Sequence, residues 1–560
     1  MFNQTIKSIN RSLEIIRVLI KYGFEDVVAN SPLRKLLPES KRIAWSLTDK
    51  SYHNISRFER IRMVVEELGP TYIKLAQVLS NRPDILPSAL ITELEKLQDQ
   101  VPPFSSEESI AIIESELGKS VDSIFESFEP IPIASASIGQ VHRARLHNGK
   151  MVVVKVQRPG IRDIIDRDLA IMHEIVRRGE DFFYRQGLLN AEDVLRTFER
   201  SIHQELDYRN EARNIDKFRS VYAAMPGLNI PPVFSDLSTD RVLVVEFAQG
   251  TKVSNIKQIR EWGLDPRKIA ESGMRIYLTM IFENGLFHAD PHPGNVFVRR
   301  DGVINLIDFG MVGRLMRSEK YALAQIFLSM ANQDPRAMAQ NFKRLAIDDN
   351  IKDFKAFERD CYELIVDFSD TEIAETSMAD LVPRLQKIIY DYKLRVPGTT
   401  FLVFRALAIL EGMGKTMHPS FNTTQFLKPF GKKLLLERYS PKVLIEDFSY
   451  SFSQINSLLF SLPYEIKSIL TKTRKGQLKI ELKLTGYEYM LLRLNSMANR
   501  IIVAIITAAL YLTGGLIMNS PTMVNSNNYE GVPLISLIAF SVASGLCLIL
   551  LYLMLRSRKQ

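Results

Sequence analysis

The stretch HADPHPGN at residues 288–295, followed by DFG at 308–310, constrains this chain more than any other feature. VFV at 296–298 reads as a strand, Arg300-Asp301-Gly302 as a tight turn and VINLI at 303–307 as the returning strand. Such a hairpin brings its two ends together, so Asn295 and Asp308 face one point in space. Two hard oxygen donors meeting there suit Mg²⁺, which binds few protein groups and leaves its other positions to phosphates and water. A metal trio of His288, Asp290 and His292 is the alternative. Its two-residue spacing needs a regular strand, and Pro291 and Pro293 argue against one.

An Asp, an Asn five residues on and a downstream DFG Asp resemble the catalytic loop of protein kinases. A nucleotide site of that kind needs a phosphate-covering loop, a lysine and a helical glutamate upstream, in that order. VHRARL at 141–146 and MVVVKV at 151–156 flank Asn148-Gly149, a strong hairpin signal. Lys155 sits on the second strand, in a context similar to the kinase lysine strand. Helical sequence near 194–217 offers Glu205, Asp207 and Glu211, of which Glu211 is expected to pair with Lys155. DRVLVVEFAQG at 240–250 reads as a buried strand entering a connector, whose backbone from Glu246 to Ala248 is placed to bond adenine.

The phosphate loop departs from ordinary kinases. In place of a glycine-rich loop the chain has Ala134-Ser135-Ala136-Ser137-Ile138-Gly139. Glycines tolerate positive φ and let backbone approach phosphates; alanines restrict that freedom, so this loop is expected to cover nucleotide differently. No APE motif or long activation segment follows DFG, since helical sequence resumes by about Ser318. A protein substrate is therefore disfavoured.

ASASIGQVHRA, VVVKVQRPGI, ELDYRNEARN, HADPHPGN and NLIDFGMVGRL, with LGPTYIKLAQVLSNRPDILP at 68–87 and LQDQVPP at 97–103, together resemble the UbiB family of atypical kinases from about residue 60 to 420. The resemblance implies an α+β, bilobal protein-kinase-like fold with an N-terminal helical extension, binding of ATP and Mg²⁺, ATPase activity, and in many members a role in isoprenoid-quinone biosynthesis. It also implies that Lys74 and Gln77 of the extension lie over the active site, with Lys74 meeting Glu205 and Asp207. Ala76 stands where the family pattern has glycine. That favours helix by about 1 kcal/mol and adds a methyl group that works against close backbone approach.

The chain divides into an N-terminal helical region (1–60), the extension (61–125), an N-lobe (126–250), a C-lobe (251–440), a basic juxtamembrane region (441–500) and a hairpin of two transmembrane helices (501–555). Residues 501–518 and 533–555 carry no charge, and at helical rise they reach about 27 and 35 Å, close to a bilayer's hydrocarbon thickness. Gly514, Gly515, Ser541, Ser544 and Gly545 would let the two helices pack closely. Arg493 and Arg500 precede the pair and Arg556, Arg558 and Lys559 follow it, whereas its linker carries only Glu530. The positive-inside rule then puts both ends, and the catalytic domain, on the cytoplasmic side of the inner membrane. From Lys467 to Arg500 eight Lys/Arg face two Asp/Glu, a run better matched to anionic headgroups than to nucleic acid, and it accounts for much of the net charge of +8. The partners expected are membrane lipids and quinone-biosynthesis intermediates or proteins, with a homodimer left open and no nucleic acid. Ile6, Ile9, Leu13, Ile16 and Ile20 follow helical spacing with basic residues between them; that helix lies either on anionic membrane or on its own protein. Two cysteines, Cys361 and Cys547, preclude a disulfide framework, and no secretory signal peptide is recognised.

The function expected is a membrane-anchored atypical kinase or ATPase acting on, or presenting, a lipid intermediate. A non-catalytic nucleotide-gated scaffold and a small-molecule kinase are the alternatives.

Overall fold

A computed structural model describes residues 2–30, 55–80, 82, 86–97, 101–179, 191–348, 351–369, 377–438, 467, 474, 487–518, 528–529 and 532–557. Parts of the 68–87 and 97–103 motifs, most of the basic run before 487, Glu530, and Arg558 and Lys559 lie outside them. The chain forms two compact units, Met1–Glu446 and Asp447–Gln560.

The first unit opens with helices. Phe2–Lys21 alternates apolar and basic residues, and in its second half the apolar stripe packs on the protein itself: Ile15 and Val18, with Tyr22 just beyond the helix, pack with Val64, Leu68 and Ile171, while the side chains of Ile6 and Ile9 lie outside the described ones. Arg11, on the same helix, reaches Asp168 at 2.8 Å, and Asp168 is buried. Of the two alternatives for this helix, packing on its own protein is the one observed for its second half. Arg57–Leu68 ends at Gly69 (φ +90), which turns the chain into Pro70–Ser80. Ser88–Leu94 and Ser106–Leu117 follow, the latter started by a capping box of Ser105 and Glu108.

A five-stranded antiparallel sheet comes next. Strands Phe125–Phe128, Gly139–Leu146, Met151–Gln157 and Val242–Glu246 lie in that order, with Ala134–Ser135 added against Gly139–Leu146. The Asn148-Gly149 turn closes the central hairpin with Gly149 at φ +79. Strand alternation decides what Met151–Gln157 offers to each side. Val152, Val154 and Val156 are fully buried with Ile112, Ile113 and Val244, each contributing about 1.5–3 kcal/mol. Lys155 must then face the other way.

Helix Tyr208–Tyr222 meets that face through Glu211, and Ile161–Arg178 and Ala191–Glu205 pack on each other through Ile165, Leu169, Phe198 and Ile202. The single helical stretch expected near 194–217 is broken: Asp207 leaves helical geometry and accepts a bond from the Arg209 N–H, capping the second helix.

The larger lobe is built on Pro266–Leu278, which widens into a π-turn at Thr279–Asn284 and stops at Gly285 (φ +71). A small sheet orders Leu228–Asn229, Ile304–Leu306, Val296–Val298 and Thr251–Lys252. Six helices, Arg317–Ala331, Pro335–Leu345, Phe354–Ser369, Met378–Asp391, Gly398–Met417 and Thr424–Arg438, complete the lobe. The architecture is a bilobal kinase-like fold with an N-terminal helical region.

The second unit contains Tyr487–Met518 and Leu534–Ser557, joined through a short antiparallel pair, Asn528–Tyr529 with Val532–Pro533. Among the described residues one helix, Ile501–Met518, is long and apolar enough to cross a membrane; the second passes only as a shorter apolar helix over Leu534–Leu548. The two helices pack through Gly514, where an added β-carbon would meet Phe540 and Ala539, and through bonds from the Ser536 hydroxyl to the Gly514 carbonyl (2.6 Å) and between Tyr511 and Ser544 (2.8 Å). Among the described residues, Gly515 and Gly545 have nothing close to where a β-carbon would be, and the Ser541 hydroxyl bonds to the Leu537 carbonyl in its own helix. Of the five small residues expected at this contact, Gly514 and Ser544 are there.

Candidate active site

The hairpin expected from HADPHPGN to DFG is present. Val296–Val298 pairs antiparallel with Ile304–Leu306, and the Ile307 N–H donates to the Asn295 carbonyl at 3.0 Å, so Asn295 and Asp308 lie side by side at its open end, opposite the turn. Asp308 has φ +60, a left-handed conformation that Asp and Asn adopt more readily than other side-chain-bearing residues. Its Oδ1 accepts the Gly310 N–H and lies 3.9 Å from Lys155 Nζ. Lys155 donates to Glu211 Oε2 at 2.8 Å. The helical glutamate singled out is thus the one that meets the strand lysine. Burial works against the Lys155 charge, but Asp308 and then Glu211 hold its pKa well above the ordinary value; the same Lys155 draws the Asp308 carboxyl below the ordinary range. The Tyr208 ring lies 5.2 Å from Lys155 Nζ, adding a cation–π contact.

Phe309 of DFG is buried against Phe218 (4.9 Å between rings) and His288 (5.1 Å), and Asn214 Nδ2 donates to its carbonyl at 3.0 Å. The helix bearing Glu211 therefore grips DFG at two further points. His288 is buried, with Nε2 facing the carbonyls of Ile307 and Asp308 at 3.1 and 2.8 Å, and His292 Nδ1 accepts the Gly294 N–H. Both imidazoles are occupied in shaping the loop, and no group of three or more His, Cys, Asp or Glu able to hold a metal occurs among the described residues. The His288–Asp290–His292 trio is set aside on these grounds.

Asp290 follows two residues after His288. Its carbonyl accepts from the His292 N–H (2.8 Å) and from Asn295 Nδ2 (3.2 Å), which turns the loop back on itself. Its carboxylate faces Arg405, with Oδ1 3.7 Å from the guanidinium.

The Ala134–Gly139 loop folds as a tight turn, with the Ala136 N–H donating to the Gly139 carbonyl at 2.8 Å. Ile138 is buried with Ile161, Leu169 and Phe198, so its side chain anchors the turn to the helices below. Gly139 is required by contact: a β-carbon there would lie 2.3 Å from the Tyr208 hydroxyl and 2.6 Å from the Val156 carbonyl. Arg158 donates to the carbonyls of Pro102 (2.9 Å) and Ala136 (3.4 Å), and Gln140 bonds both backbone groups of Phe104. These two side chains tie the loop to the segment arriving from the extension. Neither was singled out in the sequence, because a clamp onto backbone leaves no spacing to read.

Lys74 meets Glu205 at 2.6 Å across the interface between the extension and the N-lobe helices, and its charge contributes to the lowered pKa of Asp308. Gln77 is half-buried one turn further along the same helix. Ala76 is buried in a cluster with Leu94 and Leu97, so its methyl group is spent inside the extension and does not stand between Lys74 and Glu205. At the connector, the Glu246 N–H donates to the Pro232 carbonyl and the Phe247 N–H to the Met151 carbonyl. Of the three amides expected to face a base, two are committed to the protein, and among the described residues only that of Ala248 makes no such bond.

The donor set fits Mg²⁺. A carboxylate kept ionised by Lys155 and an amide at the open end of a hairpin supply few, hard ligands, as this ion accepts when phosphates complete its shell.

Comparison with known proteins agrees with this arrangement. Residues 96–342 match the ABC1 atypical kinase-like domain, residues 361–422 the UbiB helical domain and residues 485–556 the ABC1/UbiB kinase-like C-terminal domain. A probable protein kinase UbiB of Pseudomonas fluorescens is 33% identical over 462 residues, covering 80% of this chain and 85% of that protein. An uncharacterized protein of Synechocystis is 32% identical over 84% of this chain and 80% of its own length. The chloroplastic protein ACTIVITY OF BC1 COMPLEX KINASE 7 of Arabidopsis thaliana is 34% identical, over 76% of this chain and 62% of that longer one. Coverage and identity at this level, over a site built as described, make the chain a member of the ABC1/UbiB family of atypical kinase-like proteins.

Proposed function

We propose that this protein is a membrane-associated atypical kinase or ATPase that uses Mg-ATP in support of isoprenoid-quinone biosynthesis, acting on or presenting a lipid intermediate. The observation that carries the reading is Lys155 held between Glu211 and Asp308, with Asn295 at the same hairpin end. In this reading Lys155 positions the nucleotide phosphates, Asn295 and Asp308 hold Mg²⁺, which neutralises phosphate charge when bound, and Asp290 orients the attacking hydroxyl or water and takes its proton. The Ala248 amide meets the base, and the Ala134–Gly139 turn covers the phosphates. Lys74, Gln77, Glu205 and Asp207 regulate access.

A protein acceptor is disfavoured because helix Arg317–Ala331 begins directly after strand Val312–Arg314, leaving no extended segment to dock a peptide. The apolar helix Ile501–Met518 supports a lipid acceptor, with the catalytic unit on the cytoplasmic face of the inner membrane. The ion pair of Lys74 with Glu205 favours, as a second reading, a nucleotide-gated scaffold in which the extension responds to bound nucleotide.

Quinone and lipid profiling of a deletion strain complemented with wild type, Asp290→Ala or Asp308→Asn tests both. The enzyme reading expects wild type alone to restore the lipid profile. Restoration by Asp290→Ala but not by Asp308→Asn would favour the scaffold, and restoration by both variants would contradict both readings.

A further inference from the structure

A phosphoryl group passing Asp290 needs positive charge beside it, and the HADPHPGN loop has no lysine or arginine to supply it. Its two histidines are bound into the loop's own backbone. Lys155 is paired with Glu211 and near Asp308. The cation that does face Asp290 comes from far along the chain. Helix Gly398–Met417 is anchored by buried Phe401, Phe404 and Leu407, and its half-buried side presents Arg405, 3.7 Å from the Asp290 carboxylate. The two side chains are 34% and 36% exposed, so both reach the solvent from which substrate arrives.

We propose that Arg405 acts as an arginine supplied in cis to the transferred phosphoryl group, stabilising the negative charge that develops on its equatorial oxygens. The inference rests on the Mg-ATP reading above. In the step, the bond between the γ-phosphorus and the β,γ-bridging oxygen breaks and its electron pair stays on ADP. A new bond forms from the acceptor oxygen, of water or of a lipid hydroxyl, to the same phosphorus. The acceptor's proton passes to the Asp290 carboxylate and then to solvent. A guanidinium suits this position because its planar donors can meet two phosphoryl oxygens at once, which an ammonium cannot do with the same geometry.

The test uses the full-length chain as wild type, Arg405→Lys and Arg405→Ala, measuring Mg-ATP turnover, Mg-ADP affinity and thermal stability. An arginine acting on the transition state predicts that kcat falls about a hundredfold or more in both variants. Mg-ADP, which lacks the transferred group, should bind within about threefold of wild type. Added methylguanidine should restore part of the Arg405→Ala turnover, which a purely structural role for Arg405 would not allow. If wild type neither binds Mg-ADP nor turns over Mg-ATP, the underlying reading fails. If wild type turns over and Arg405→Lys or a folded Arg405→Ala keeps kcat within threefold, this inference alone is overturned. An Arg405→Ala protein that does not fold leaves Arg405→Lys to decide.

Discussion

Replacing Glu211 with Gln removes one negative charge from the centre of the site while keeping its shape. Glu211 Oε2 is 2.8 Å from Lys155 Nζ, and the two side chains are 8% and 21% exposed. At that separation and an effective dielectric near 20 the direct attraction is about 6 kcal/mol, most of it offset by the cost of taking both ions out of water. Deleting one partner of a buried pair costs about 3–5 kcal/mol when the other is left uncompensated. Here Asp308 stays 3.9 Å from Lys155, and the amide oxygen of Gln can still accept its hydrogen bond, so a loss of about 2 kcal/mol is expected. The larger consequence is functional. With Glu211 neutral, Lys155 is drawn onto Asp308, and the phosphate cation and the metal carboxylate cancel one another. Mg-ADP affinity should fall about tenfold, equivalent to about 1.4 kcal/mol. Chemical denaturation and calorimetric titration of the two proteins measure both quantities. An unchanged midpoint together with an unchanged Kd would refute the reasoning, because it would mean that Lys155 needs no second anion to be held in place.

Three further outcomes are expected. Gly139→Ala should cost about 1–3 kcal/mol and displace the Ala134–Gly139 turn, because its β-carbon meets the Tyr208 hydroxyl and a backbone carbonyl, whereas Gly149→Ala should cost only about 1–2 kcal/mol of left-handed strain. Melting curves with and without Mg-ADP separate the two, since only the first should lose nucleotide stabilisation; equal behaviour would deny the turn its role. Arg11→Ala strands the buried Asp168 carboxylate and should destabilise the first unit by about 3 kcal/mol in denaturant, and a change below about 0.5 kcal/mol would show that the N-terminal helix is not fastened there. The Asp308 carboxyl is depressed by Lys155, so its contribution to stability is present above the ordinary Asp value of about 3.9 and is lost as pH falls through its lower folded value. The stability gap between wild type and Asp308→Asn should therefore be largest near neutrality and narrow below about pH 4; a gap that widens there would contradict the assignment.

Much of this site is legible in the sequence because its chemistry sits on local devices. Asn295 and Asp308 are joined by a hairpin whose turn can be read, and Lys155 lies on a strand whose alternation separates it from three buried valines. What could not be read depends on surfaces meeting over long separations. Arg405 approaches Asp290 from a helix more than a hundred residues away, and Gln140 and Arg158 act on the backbone of Pro102 and Phe104. The amphipathic N-terminal helix fitted membrane and protein equally well as a pattern; its buried Arg11–Asp168 pair decides for protein, and no periodicity contains that information. Asp207 shows a third limit, since a residue marked for the site also serves as the cap that breaks one expected helix into two.

Titration of purified full-length protein with ADP, with and without Mg²⁺, and of Asp308→Asn under the same conditions, tests the central claim most directly. Saturable binding by wild type that strengthens with Mg²⁺, and loses that strengthening in Asp308→Asn, is the predicted result. Absence of binding, or binding indifferent to both the metal and the substitution, would contradict it.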